Sequence, residues 1–246
     1  MIKWTFTSIV FFLIIVIIKL PAGFALTFAP KINDLQIKNV SGTIWNGHAS
    51  SIEWQNKVLE DINWKLNFFP LLTGNLEADL ETGKNSTIQI TGTAGIGGNG
   101  WFTENLEFSA NAALIGEFYP LPADIKGEIK GKNITASQGS PWCSDLTGTI
   151  ELLNPEISSP MLGQPLKLDD TKAKLNCEKG NLVANITDKG EVLGLNVKAS
   201  LGKKNYLVEG ELKPGNKFPS MFKQGLSFVA KPISAGKYKI DLNGNF

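Results

Sequence analysis

The segment Asp61-Ile62-Asn63-Trp64-Lys65-Leu66-Asn67-Phe68 alternates polar and apolar side chains at every position. In an extended chain, its apolar members lie on one face and its polar members on the other. A period of two over eight residues is typical of a β-strand with one face against a core and the other in water. The segment therefore predicts a half-buried strand and indicates the class of the fold around it.

The same alternation recurs along most of the chain. We predict further strands at 86–93, 105–114, 124–134, 146–152, 171–177, 181–187, 193–201, 205–212, 226–229 and 237–242. Clusters of Gly, Asn, Lys and Pro stand between many of these runs and are typical of turns. So many short strands with short connections predict an all-β fold built on a mostly antiparallel sheet.

Glycine recurs inside these runs, at Gly42, Gly92, Gly127, Gly148 and Gly210. A glycine within a strand marks a bulge or a sharp bend, because it lacks a side chain and tolerates unusual backbone angles. We therefore predict a curved sheet that forms an open groove or half-barrel, with a fully closed sheet or a sandwich as alternatives.

The N-terminus has a different character. No charged residue lies between Trp4 and Ile18, and those 15 residues would span about 22 Å as a helix, against about 30 Å for a hydrocarbon core. Apolar residues continue beyond Lys19 almost without interruption to Ala29. We predict a membrane anchor at 4–29 that contains an N-terminal transmembrane helix. Residues of its apolar core are Ile9, Phe11, Leu13, Ile15 and Ile17.

A cleaved signal peptide is the alternative for the N-terminus, because Gly23 and Ala25 place small residues where a signal peptidase cuts. Both interpretations export the rest of the chain. With an uncleaved anchor, residues 1–3 form a cytoplasmic tail and residues 30–246 form a β-domain outside the cytoplasm. Three prolines interrupt the strand pattern at 153–166, where a division of that domain into two lobes would fall.

The two cysteines, Cys143 and Cys177, lie 34 positions apart, and His48 is the one histidine. These residues are too few for a zinc site. In an oxidising compartment the natural use of two cysteines is a disulfide, and closing a loop of this size would stabilise the fold by about 3 to 4 kcal/mol. Two buried free thiols are the alternative.

Residues for chemistry are scarce. A hydrolase or transferase needs a nucleophile with a base, paired carboxylates or a metal cluster, and a triad would have to be built around the single His48. The acidic pair Asp169-Asp170 lacks the spaced oxygen ligands of a calcium loop. All basic residues are lysines, so the planar fork with which arginine recognises phosphate and guanine is missing. We expect no catalytic site, no cofactor, no metal and no nucleic-acid partner.

Four blocks between residues 20 and 76 carry a family resemblance. They are, in order, Leu20-Pro21-Ala22, Val40-Ser41-Gly42-Thr43-Ile44-Trp45-Asn46-Gly47-His48-Ala49, Ile62-Asn63-Trp64-Lys65-Leu66 and Pro70-Leu71-Leu72-Thr73-Gly74-Asn75-Leu76. In content and order they resemble the signature of the type II secretion system protein N family, which commonly has arginine at the positions of Lys65 and Asn75. The residues that carry the resemblance are Pro21, Ala22, Ser41, Gly42, Thr43, Trp45, Gly47, Ala49, Trp64, Pro70, Leu71, Leu72 and Gly74.

The resemblance implies a single-pass inner-membrane protein of a Gram-negative bacterium, with most of the chain in the periplasm and other type II secretion components as partners. It implies neither a catalytic residue nor a cofactor. The family is also similar to AsmA-like proteins, whose grooved β-sheets are linked to lipid homeostasis. A lipid-handling protein that holds acyl chains in a β-groove is therefore the alternative function.

Overall fold

The structure, a computed structural model, describes residues 2–28, 33–54, 57–118, 123–159, 164–220, 226, 230–234 and 236–245. The chain divides into two compact units, Met1–Gly98 and Asn99–Phe246. The interval 153–166, where the sequence placed a division into two lobes, lies inside the second unit. Residues 160–163 of that interval lie outside the described residues, so a boundary there stays a prediction.

The described residues of the first unit form three helices and six strands. Its helices are α1 (Ile2–Ile18), α2 (Ala22–Leu26) and α3 (Phe68–Leu72). Its strands are β1 (Leu35–Lys38), β2 (Ser41–Gly42), β3 (Asn46–Trp54), β4 (Lys57–Leu66), β5 (Leu76–Thr82) and β6 (Ile88–Gly97). The strands follow one another in the order β1-β3-β4-β5-β6, all antiparallel, with β2 paired to β3.

The core of the first unit lies where β3, β4 and β5 meet. Ala49 and Ile62 are cross-strand partners and both are buried. Ile62 also pairs with Thr82, a buried polar residue whose hydroxyl donates to the Ile88 carbonyl at 3.1 Å and accepts from the Ile90 N–H at 2.7 Å. The buried hydroxyl therefore both donates and accepts a hydrogen bond.

In the second unit, the part of the chain that the structure describes forms ten strands and one short helix. They are β7 (Gly100–Asn111), α4 (Leu114–Phe118), β8 (Asp124–Gln138), β9 (Cys143–Ser158), β10 (Leu166–Lys167), β11 (Thr171–Glu178), β12 (Asn181–Thr187), β13 (Leu195–Leu201), β14 (Asn205–Leu212), β15 (Lys231–Pro232) and β16 (Tyr238–Asn245). The order is β7-β8-β9-β11-β12-β13-β14-β16-β15, with β10 paired to β9, and the pairings are antiparallel. In both units the strand path never returns to its starting strand, so the sheet is open.

The long pair β8–β9 is bent at glycines. Gly127 and Gly148 have φ of +131° and +128°, a backbone conformation that favours glycine. The register of the pair shifts between Lys126 and Glu128 and again between Lys132 and Thr135, opposite Gly148. Glycine-marked bulges, which the sequence suggested, are therefore present in this pair.

These observations confirm an all-β fold with antiparallel pairing in an open sheet. The predicted N-terminal transmembrane helix has no such confirmation: α1 is a helix of 17 residues, and within the described residues no helix is both long and apolar enough to cross a membrane.

Local departures from the predicted strands have physical causes. Strand β4 ends at Leu66, and Phe68, predicted as its last inward residue, begins α3 and is exposed. Strand β9 continues through Asn154 and Pro155 to Ser158, because β10 and the Leu168 N–H bond to this stretch on one side. The predicted strand 226–229 lies outside the described residues except for Leu226.

Candidate functional site

Hydrogen bonds join the end of α1 to the turn between β2 and β3. The indole Nε1 of Trp45 donates to the Ile17 carbonyl at 2.9 Å, and the Ile44 N–H donates to the Leu20 carbonyl at 3.1 Å. Pro21 forms an isolated antiparallel bridge with Thr43, and the next residue, Ala22, is only 4% exposed. The blocks around residues 20–22 and 40–49, separate in sequence, therefore form one junction.

The junction is shaped by a tight turn between β2 and β3. The Thr43 N–H donates to the Asn46 carbonyl at 2.9 Å, and Gly42 before the turn has φ of +80°. Gly47 after the turn is buried beneath Trp64, leaving no room for a side chain between the two. Trp64 also bonds the turn, since its Nε1 donates to the Ile44 carbonyl at 3.2 Å.

A short apolar helix, α3, adjoins this turn. The Phe68 ring lies 5.9 Å from the Trp45 ring, centroid to centroid, and Phe69 follows at 6.1 Å from Phe68. The helix ends in a turn in which Gly74, with φ of +81°, donates its N–H to the Leu71 carbonyl at 3.1 Å. Its outward side chains are unusually exposed, with Phe69 at 80%.

The motif residues from the sequence thus occupy one region of the first unit. Pro21, Ala22, Thr43, Trp45, Gly47 and Trp64 build the junction itself, Ser41 and Gly42 form β2, and Ala49 lies in the core beside it. Pro70, Leu71, Leu72 and Gly74 belong to α3 and its terminal turn. The anchor residues Ile9, Phe11, Leu13, Ile15 and Ile17 all lie on α1 with exposed side chains.

Two features of this region were missed by sequence reasoning. One is the hydrogen bond from Trp45 to a backbone carbonyl 28 residues earlier, which no local pattern signals. The other is the exposed pair Phe68 and Phe69, for which a signal existed: residues 67–76 contain no charged side chain.

His48 pairs with a carboxylate on the neighbouring strand. Its Nε2 lies 2.9 Å from Asp61 Oδ1, and both side chains are more than a third exposed. The arrangement is a cross-strand surface pair.

The cysteines lie apart from the junction, in the second unit. The sulfurs of Cys143 and Cys177 are 2.10 Å apart, at disulfide distance, as the sequence pairs them. Cys143 is 2% exposed and packs with Ile134, Ala136 and Leu146 in a hydrophobic cluster. The pair therefore links the start of β9 to β11 through the core of this unit.

Two carboxylates between β10 and β11 accept backbone hydrogen bonds in the second unit. Asp169 Oδ2 accepts the Val192 N–H at 2.7 Å, and Asp170 Oδ1 accepts the Asn154 N–H at 2.8 Å. The Asn154 bond is the main cause that lowers the pKa of Asp170. The described residues contain no group of three or more His, Cys, Asp or Glu side chains arranged to hold a metal.

The second unit also carries an open apolar cleft of about 360 Å³. Its walls come from β9, β11, β12, β13 and β14 and are lined by Leu146, Leu175, Leu182, Val183, Ala184, Ala199, Ser200, Leu201, Tyr206 and Val208. Ser200 and Tyr206 supply the polar side chains. A cleft with such walls suits an apolar chain better than a polar ligand.

Comparison with known proteins bears on both units. Residues 33–241 match the family described as "Type II secretion system (T2SS), protein N". Proteins named "Type II secretion system protein N" from Aeromonas hydrophila and Vibrio cholerae serotype O1 are 29% and 28% identical to the chain, each over 93% of this chain and 92% of the relative. A protein of the same name from Pectobacterium carotovorum is 23% identical over 89% of this chain and 87% of its own length.

No solved structure matches the chain at a significant level. The family match nevertheless spans strands of both units and extends far beyond the blocks at 20–76 on which the sequence resemblance rests. Because this match covers most of the chain, the chain belongs to the type II secretion system protein N family.

Proposed function

We propose that the chain is a non-catalytic component of the type II protein secretion machinery, which acts at the inner membrane by binding other secretion components in the periplasm. The observation that carries this proposal is the family match over residues 33–241. Relatives that bear the name of that system align with the chain over nearly their full lengths. Such coverage favours a shared role of the whole chain over the borrowing of one module.

The proposed anchor is the segment 4–29, with residues 1–3 in the cytoplasm and 30–246 in the periplasm. From Phe11 to Ile18 every side chain of α1 is apolar and exposed, on all sides of the helix. A helix that is apolar all round requires an apolar surrounding, which within one chain is a core and otherwise a membrane. These exposed side chains support membrane insertion of α1.

The contacts of residues 20–22 favour retention of this segment over its removal as a signal peptide. Cleavage after Ala25 would delete the Leu20 carbonyl bonded to Ile44, the bridge at Pro21 and the buried Ala22. A processed chain would leave the turn at 43–45 without these partners. The measured mass of the mature protein distinguishes the two: the uncleaved chain has the full 26.7 kDa.

Secretion and partner capture together test the function. We expect a strain lacking the chain to lose or reduce export of type II substrates, and the tagged full chain to cross-link to inner-membrane proteins of the machinery. As a matched control, residues 1–29 are replaced by a cleavable signal peptide, which separates the β-domain from the anchor. Normal secretion in the deletion strain, with no secretion protein captured, would refute the proposal.

The apolar cleft supports a second candidate, a lipid-handling protein. Ala199 lines the cleft, whereas Lys198, the preceding residue on β13, points to the opposite face of the strand. A photo-cross-linking residue at position 199 of the full chain in cells should capture acyl lipids if the cleft holds them. The same residue at position 198 is the control, and equal labelling at both positions, or none, speaks against this candidate.

A further inference from the structure

The described part of the first unit exposes a second set of apolar side chains beside the end of α1. We call this set the interfacial patch: Phe24, Leu26 and Phe28 on and after α2, and Phe68, Phe69 and Leu72 on α3. Their exposed fractions range from 38% for Leu26 to 80% for Phe69. Side chains of this size are normally buried in a protein that meets only water, and a cluster of them marks a binding surface.

Both halves of the patch start from the same turn. Pro21, which precedes α2, bridges to Thr43, and Phe68, the first residue of α3, contacts the ring of Trp45. Trp45 in turn donates its hydrogen bond to Ile17 at the end of α1. The patch is therefore held close to the C-terminal end of α1 by contacts within one unit.

The chemistry of the patch favours lipid over protein as its partner. Residues 20–28 and 67–76 contain no Asp, Glu or Lys, so neither segment carries a charge whose desolvation would oppose burial at a lipid surface. Aromatic and leucine side chains on short helices are typical of the boundary between headgroups and acyl chains.

The length of α1 points to the same place. Its 17 residues span about 25 Å, about 5 Å less than a hydrocarbon core. If α1 is inserted, about 5 Å of the hydrocarbon core remains for the apolar residues that follow the helix. From these observations we infer that the interfacial patch lies in the periplasmic surface of the inner membrane and seats the β-domain on the lipid.

This inference rests on the proposed membrane anchor, so its test must separate the two. The full chain, with Phe69→Cys labelled by an environment-sensitive fluorophore under non-reducing conditions, is reconstituted into protein-free liposomes of phosphatidylethanolamine and phosphatidylglycerol. The matched control is Lys84→Cys, which lies beyond the other end of β5, about 20 Å from α3 along a strand of seven residues. Both positions are exposed, so neither change disturbs the core.

We expect the label at position 69 to emit at shorter wavelength and to be quenched severalfold more slowly by aqueous iodide than the label at position 84. Alkaline carbonate extraction of the same samples reports insertion of the anchor. If the chain is inserted but both labels are in water, or both are equally protected, the inference about the patch is wrong and the proposed anchor stands. If carbonate extracts the chain from the liposomes, both the proposed anchor and the inference about the patch are wrong.

Discussion

Trp45 in the turn between β2 and β3 and Ile17 at the end of the N-terminal helix are joined by a 2.9 Å hydrogen bond from the indole N–H to the backbone carbonyl. The last carbonyls of a helix have no partner within the helix, and that of Ile17 accepts the Leu20 N–H at 3.4 Å, so the indole is its second donor. The bond places the indole between the proposed anchor and the exposed rings of α3.

Replacement of Trp45 by Phe should loosen this junction. The ring contact with Phe68 is kept while the N–H is lost, so the expected cost is about 1 kcal/mol. We expect faster proteolysis of the connection between α1 and β1 in detergent-purified full chain. Trp54→Phe, at the exposed far end of β3, is the control and should cleave like the parent. Equal cleavage of all three chains would show that the bond does not hold the junction.

Replacement of Gly47 by Ala should be far more costly. The new Cβ would collide with the Trp64 indole and lie 2.9 Å from the Thr43 carbonyl, so the turn or the indole must move. We expect a loss of about 2 to 4 kcal/mol in the free energy of unfolding, measured by urea titration. Gly116→Ala in α4 has open space and serves as the control, with no loss expected. A Gly47→Ala chain as stable as the control would contradict the packing described.

Removal of the cysteine pair should destabilise the second unit. Replacement of both Cys143 and Cys177 by Ala opens a 34-residue loop, at a cost of about 3 to 4 kcal/mol on the chain-entropy model. Addition of reductant to the parent chain should lower its urea midpoint as much as the double replacement does. Maleimide uptake by the unreduced, denatured parent would show instead that the thiols are free.

Acidification should weaken the contact between β8, β9 and β11. Glu151 accepts from Lys132 Nζ at 2.7 Å and pairs with Lys172 Nζ at 3.2 Å, and these contacts lower the pKa of its carboxyl, with Lys132 as the main cause. A carboxylate with a lowered folded pKa stabilises the fold above its unfolded pKa, and that contribution is lost as the pH falls through the folded value.

The measurement for Glu151 is the urea midpoint of the parent and of Glu151→Gln across pH. The gap between them should be full at pH 7 and should narrow as the pH falls below about 4.3, the ordinary pKa of glutamate. Glu104→Gln, at an exposed position of β7, should show no such gap. A gap independent of pH would mean that the carboxylate charge at 151 contributes nothing.

The alternation at 61–68 predicts the class of the fold because cross-strand burial enforces a period of two, as Ile62, Trp64 and Leu66 show. Strand β3 is missed because its Gly47, Ala49 and Ser50 are small, and its conformation is decided by pairing with β4 and not by its own apolar pattern. Helix α3 is missed because Pro70 reads as a breaker, although proline is tolerated in the first turn of a helix.

The candidate site could likewise be predicted only in part from the sequence. Its residues were named from the blocks at 20–76, but their assembly into one junction depends on backbone carbonyls at Ile17 and Leu20, which have no sequence signature. The interfacial patch lies between these cases: the uncharged run at 67–76 is visible in the sequence, while its nearness to α1 depends on the contact of Trp45 with Phe68.

The two bonds from residues 44 and 45 to the carbonyls of Leu20 and Ile17 have a mechanical consequence. A domain on a loose tether swivels freely about its anchor, whereas two attachments on successive residues resist twisting. Rotation of α1 about its own axis would therefore turn the attached strands β2 and β3 with it. A partner protein bound to either α1 or these strands would therefore fix the orientation of the other.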